Sequence, residues 1–113
     1  MGGARAPDRG DVVWIEFTPQ AGHEQAGLRP GLVVSPAVYN RASGLALVCP
    51  ITRRSKGYPF EVALPPGEPV EGVILSDQVR SVDWKARRAR RIGRASAAVV
   101  AEVRARVAAL VAS

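Results

Sequence analysis

Between Val12 and Asp83 the apolar residues fall in short runs, and turn-forming residues separate them. Val12–Phe17 follows Gly10-Asp11, Leu32–Ser35 stops at Pro36, Leu45–Cys49 stops at Pro50, and Phe60–Leu64 stops at Pro65-Pro66-Gly67. Val73–Leu75, Val79–Asp83 and a segment near Arg88–Gly93 complete the series. Short runs rich in β-branched and aromatic residues, bounded by Gly and Pro, read as strands. Many of them in succession predict a small antiparallel barrel or sandwich. Residues 18–30 hold Pro19, Gly22, Gly27 and Pro30, too much punctuation for a helix or a strand, and read as a long loop. Pro36 to Asn40 reads as a turn or one helical turn.

The tail has a different period. After Ser96, the residues Val99, Val100, Val103, Val107, Leu110 and Val111 recur at helical spacing and make one apolar stripe. Ser96 is the helix cap. The expected architecture is therefore mainly β, a compact antiparallel barrel with a C-terminal helix. A length of 113 residues allows one domain, 1–113.

Composition narrows the function classes. Aromatic residues make up 5% of the chain, so Val, Leu, Ile and Ala must build the core. A lone cysteine, Cys49, cannot form an internal disulfide and fits a reducing cytoplasm. It reads as a small hydrophobe buried in a strand rather than a reactive thiol. No apolar stretch approaches the length of a bilayer span, and residues 1–10 lack an export signal, so no membrane partner is expected. A single His and a single Cys leave no usual zinc set, and the acidic residues do not cluster as ligands for hard cations. Any catalysis is expected to need neither a metal nor another cofactor. The net charge of +6 has one source: residues 85–94 carry six basic side chains and no acidic one. A local basic stripe suits a polyanion. RNA, an acidic segment of a partner protein and plain solvation each account for it.

Five short motifs carry a resemblance. They are Gly10-Asp11-Val12-Val13-Trp14, Glu24-Gln25-Ala26-Gly27-Leu28-Arg29-Pro30, Pro50-Ile51-Thr52, Lys56-Gly57-Tyr58-Pro59-Phe60-Glu61-Val62 and Asp77-Gln78-Val79-Arg80-Ser81. In this order and spacing they resemble the MazF/PemK toxins of bacterial toxin–antitoxin modules, from about Asp8 to the C-terminal helix. The resemblance implies an SH3-like barrel of the MazF/PemK/CcdB type. It also implies a metal-independent endoribonuclease that cuts single-stranded mRNA in a sequence-specific way, acting as a homodimer. An acidic, MazE-like antitoxin with a disordered C-terminal tail is the implied partner. Two other readings stay open, a gyrase-poisoning toxin of the CcdB kind and a non-catalytic SH3-like RNA-binding module. The Arg29-Pro30 and Pro50-Ile51-Thr52 motifs weigh against the first, because a gyrase poison does not need them.

Metal-free RNA cleavage uses the substrate's own 2′-hydroxyl as nucleophile. The protein must help move its proton, stabilise charge on the phosphoryl oxygens and help protonate the leaving 5′-oxygen. Arg29 suits the second task, because a guanidinium fork contacts two phosphate oxygens and stays charged. In the family, catalysis depends most on the arginine of this Arg-Pro pair. Thr52 matches the family's Pro-x-Thr pattern and can donate a hydrogen bond to a phosphate oxygen. Glu24 is the third catalytic candidate, either taking the 2′-OH proton or holding Arg29 in place. His23, the only histidine, lies outside the matched motif and is disfavoured as a catalytic group. Relatives can have a His where this chain has Leu28, which argues against an obligatory histidine. The expected RNA-binding residues are Phe17, Gln25, Arg53, Arg54, Lys56, Asp77, Gln78, Arg87 and Arg88. Trp14 and Trp84 are expected in a core or an interface.

Overall fold

The computed structural model describes residues 5–17 and 28–113. The strands are β1 (Asp11–Glu16), β2 (Leu28–Val33), β3 (Leu45–Thr52), β4 (Glu61–Ala63), β5 (Val73–Leu75), β6 (Arg80–Asp83) and β7 (Arg90–Arg94). Helix α1 spans Ala37–Ser43, helix α2 spans Ala97–Ala112, and a single 3-10 turn covers Ser76–Gln78. All pairings are antiparallel. The strand order is β4-β5-β3-β2-β1-β7. β3 is shared: its first half, Leu45–Val48, pairs with β6, and its last two residues, Ile51 and Thr52, pair with β5.

Strands β1 to β3 are covered on both faces, which is why their sequences read as continuous apolar runs rather than a clean alternation. Val12 of β1, Leu32 of β2 and Cys49 and Ile51 of β3 enter one core, together with Val62, Ile74, Val99 and Val103. Val13, Ile15 and Phe17, with Val33, Ala46 and Val48, enter the other core with Val82 and Trp84. Burial pushes the Cys49 thiol up to about 12, so it is protonated and packs as a small hydrophobe. Trp84 is core, its indole N–H donating to the Asn40 carbonyl at 2.9 Å. Trp14 is 37% exposed.

The mainly β, antiparallel class with a C-terminal helix is as expected, but the sheet is open. No ladder joins the end strands β4 and β7. Helix α2 covers that side instead: Val99 and Val103 share a core cluster with Val62 of β4 and Ala95, which follows β7. Ser96 caps α2 by accepting the Val99 amide at 3.3 Å. Of its predicted stripe, Val99 and Val103 are buried, Val100 and Val107 are partly so, and Leu110 and Val111 are exposed.

Three boundaries differ from the sequence reading. β2 begins at Leu28, before Pro30, not at Leu32. The β2–β3 register runs only from Gly31 to Val33, so at Pro30 the strand pairs with β1 alone and tolerates a residue without an N–H. β3 runs through Pro50 to Thr52 rather than stopping at Cys49. The segment after Pro36 forms a seven-residue helix that ends where Gly44 turns left-handed, with φ of 77°.

Candidate active site and RNA groove

Arg29 and Thr52 come from adjacent strands. The β2–β3 register sets Gly31 opposite Pro50. The pairing ends there, and the same offset carried two residues further brings Arg29 and Thr52 to neighbouring strand ends. Side-chain alternation puts both on the face of Gly31, where the Phe17 ring packs. A Cβ on Gly31 would lie 2.8 Å from the Phe17 ring and 2.6 Å from Val48, so this close packing requires glycine.

Two grooves meet at this pair. The first, of about 500 Å³, is lined by Phe17, Arg54, Lys56, Tyr58, Asp77, Gln78 and Arg80, among others. The second, of about 670 Å³, is lined by Trp14, Leu28, Pro30, Arg53, Val70 and Glu71, among others. Arg29, Ile51 and Thr52 line both and form the divide between them. Thr52 Oγ1 accepts the Arg54 amide at 3.2 Å. This is its only hydrogen bond among the described residues, so the hydroxyl proton is available to an incoming acceptor.

Backbone contacts fix Thr52. Gly72, at φ of +132°, lies directly against the Thr52 carbonyl, and a Cβ there would also lie 3.0 Å from the Thr52 carbonyl carbon. The β3–β4 loop beyond Thr52 is organised by Glu61. Its carboxylate accepts the Ser55 hydroxyl at 2.7 Å, the Lys56 amide at 2.9 Å and the Gly57 amide at 3.2 Å. The Ser55 hydroxyl and these amides hold the Glu61 carboxyl below the usual carboxylate range.

Phe17 marks the other wall. Its ring lies 5.4 Å beneath the Arg80 guanidinium, and its carbonyl accepts Arg87 Nη1 at 2.6 Å. The same Nη1 reaches the Glu16 carbonyl at 3.1 Å.

The structure thus brings Arg29, Thr52, Phe17, Arg54, Lys56, Asp77 and Gln78 around the first groove and puts Arg53 on the second. Glu24 and Gln25 lie outside the described residues, as does His23. Arg87 lines neither groove and holds the end of β1 instead. Arg88, with φ of 58° in the turn before β7, also lines neither. The basic stripe is divided in the same way. Arg91 and Arg94 both pair with the buried Asp11, at 3.2 and 2.8 Å, and Lys85 lies over the Trp84 ring. Sequence reasoning did not select Glu61 or Arg80, although both stand inside the quoted motifs. A carboxylate next to an exposed Gly-containing turn was the available signal for Glu61.

Residues 8–111 match the model of the PemK-like, MazF-like toxin of type II toxin–antitoxin systems. The chain is 52% identical over 87 residues to the endoribonuclease toxin MazF of Escherichia coli K12, covering 77% of this chain and 78% of that protein. It superposes on crystalline MazF from Deinococcus radiodurans with a TM-score of 0.86 at 55% identity, covering 96% of this chain and 98% of the other. A MazE–MazF complex from the same organism gives a TM-score of 0.86 at 52% identity, covering 95% and 97%. The chain belongs to the PemK-like, MazF-like family of toxins of type II toxin–antitoxin systems.

Proposed function

We propose that this protein is the toxin of a toxin–antitoxin pair and an endoribonuclease that cuts single-stranded mRNA at short sequences. The observation that carries this reading is that Arg29 and Thr52, on adjacent strands, both line the two grooves, at a divide that a strand could cross. A scissile phosphate seated there has nucleotides on both sides. Four cationic side chains, Arg29, Arg54, Lys56 and Arg80, line the first groove and suit the phosphate backbone.

The reaction needs no group beyond the chain and its substrate. The 2′-oxygen attacks the adjacent phosphorus and the bond from phosphorus to the 5′-oxygen breaks. The 2′-proton leaves to a base and a proton arrives on the 5′-oxygen, giving a 2′,3′-cyclic phosphate and a 5′-hydroxyl. Arg29 contacts two phosphoryl oxygens as negative charge grows on them, and the Thr52 hydroxyl donates to one. Glu24 is the proposed base or the group that orients Arg29. The Tyr58 ring, 57% exposed on the groove wall, offers a face on which a base can stack.

The proposed partner is a MazE-like antitoxin whose acidic tail lies in the same cationic groove and competes with RNA. The proposed assembly is a homodimer and the proposed location the cytoplasm. No described helix is long and apolar enough to cross a membrane. The test is single-turnover cleavage of a short RNA, with and without antitoxin. Cleavage that the antitoxin blocks supports the reading, and an RNA bound but left intact overturns it.

A further inference from the structure

Helix α2 does more than cover the core. Its Arg106 is part-buried and reaches sideways to the loop between β3 and β4. One arm, Nη1, donates to the Pro59 carbonyl at 2.6 Å, and the other, Nη2, donates to Glu102 Oε2 at 2.7 Å. Glu102 lies one helical turn before Arg106, so the ion pair fixes the plane of the guanidinium and aims Nη1 at the loop.

Apart from Arg106, backbone contacts hold the far end of the loop: the Tyr58 carbonyl accepts the Glu61 amide and the Phe60 carbonyl accepts the Ser76 amide, both at 3.1 Å. Glu61 gathers the near side, at Ser55, Lys56 and Gly57. The Tyr58 amide also faces the Glu61 carboxylate, but Pro59 lies beyond that reach. Pro59 has no N–H, and among the described residues Arg106 is the only side chain outside residues 52–61 that hydrogen-bonds the loop. The residue before Pro59 is Tyr58, whose ring lines the groove.

We propose that Arg106, aimed by Glu102, is a positioning residue that latches Pro59 and so sets Tyr58, and with it the base accepted beside the scissile phosphate. The inference rests on the reading of this groove as the RNA site. Arg106 does not touch the substrate. It acts through the loop, and its effect falls on recognition more than on the chemical step. Lysine at this position could reach Pro59 or Glu102, but it lacks the planar fork that makes both contacts in one geometry.

The test compares the full-length protein with Arg106→Ala, Arg106→Lys, Glu102→Gln and Tyr58→Ala. Three quantities are read: amide hydrogen exchange of residues 56–61, KM and kcat on a short RNA, and the cut-site profile from 5′-end sequencing of a random RNA pool. For Arg106→Ala the expected result is exchange faster by roughly tenfold at Lys56, Gly57 and Glu61. KM should rise by roughly tenfold, with the smaller part of the loss on kcat. The cut-site profile should broaden. Arg106→Lys and Glu102→Gln should fall between it and the wild type. Arg106→Ala added to Tyr58→Ala should broaden the profile no further. Wild-type exchange and profile in Arg106→Ala would overturn the latch, as would a loss confined to kcat. If Arg106→Ala does not fold, the Lys and Gln variants decide by the same criteria. A wild-type protein that cuts no RNA would overturn the RNA reading instead, and the exchange data would still decide whether Arg106 holds the loop.

Discussion

Gly72 lies against the carbonyl of Thr52, so close that a Cβ on Gly72 would overlap it. The neighbour is backbone and cannot swing aside. The φ of +132° at Gly72 is also one that residues with side chains rarely adopt. Gly72→Ala should therefore shift Thr52 and lower cleavage as well as stability, the latter by about 1–3 kcal/mol. Gly67→Ala is the control: its φ is +96°, but nothing lies within 4 Å of the added methyl. It should lose stability and keep most of its cleavage. Thermal melts and single-turnover rates on the two variants check this. Equal loss of activity in both would remove Gly72's connection to Thr52.

The basic side chains divide into those that face the groove and those that hold the fold. Arg87→Ala removes the contacts to the Glu16 and Phe17 carbonyls and should destabilise by about 1–3 kcal/mol. Arg88→Ala breaks no side-chain hydrogen bond among the described residues and should leave stability and RNA binding close to wild type. Arg54→Ala and Lys56→Ala together should flatten the dependence of log binding constant on log salt by about 1.4, as expected for two phosphate contacts to a single strand. Binding titrations on an uncleavable 2′-deoxy oligonucleotide at several salt concentrations measure the slopes. A flattened slope for Arg88→Ala, with none for the Arg54/Lys56 pair, would relocate the RNA path.

Glu61 makes the loop pH-sensitive. Its folded carboxyl is held below the usual carboxylate range, chiefly by the Ser55 hydroxyl and then by the Lys56 amide. A lowered folded value means that its contribution is fully present above the ordinary carboxylate range. It is lost as pH falls through the lowered value. Amide exchange at Lys56 and Gly57 should therefore lose protection on acidification in the wild type. Glu61→Gln keeps one acceptor oxygen and no charge, so it should show weaker protection at neutral pH and no such acid step. An acid step of the same size in Glu61→Gln would assign it to another group.

Sequence patterning reveals the strands because short apolar runs between Gly and Pro have few other ways to bury themselves. It misplaces boundaries where a proline stands inside a strand, since the cost of Pro30 and Pro50 depends on which neighbour needs their N–H. That is a property of the sheet and not of the run. Sheet closure is illegible for a related reason: whether β7 meets β4 depends on where α2 settles. At the site, the motifs make Arg29 and Thr52 legible, and only the assembled sheet shows that they line the same two grooves. The basic stripe reads as one feature in sequence, yet Arg91 and Arg94 find Asp11 some 80 residues away, at the start of β1. Arg106 and Pro59 are separated by 47 residues, and no local pattern joins them. Contacts of that range depend on the assembled fold.

The central claim is that Arg29 and Thr52 act together on one phosphate while the RNA supplies its own nucleophile. The most direct measurement is single-turnover cleavage of a short RNA in excess EDTA by wild type, Arg29→Ala and Thr52→Ala, repeated on an RNA with a 2′-deoxy sugar on the 5′ side of the cut. The account predicts that the wild type cuts the all-ribose RNA and leaves the deoxy substrate intact. Arg29→Ala should be slower by about 10²–10³, the usual cost of losing one transition-state donor, and Thr52→Ala should be slower by a smaller factor. Both variants should melt within a few degrees of the wild type, because neither side chain belongs to either core cluster. Normal cleavage of the deoxy substrate, or wild-type rates in a folded Arg29→Ala protein, would contradict the account.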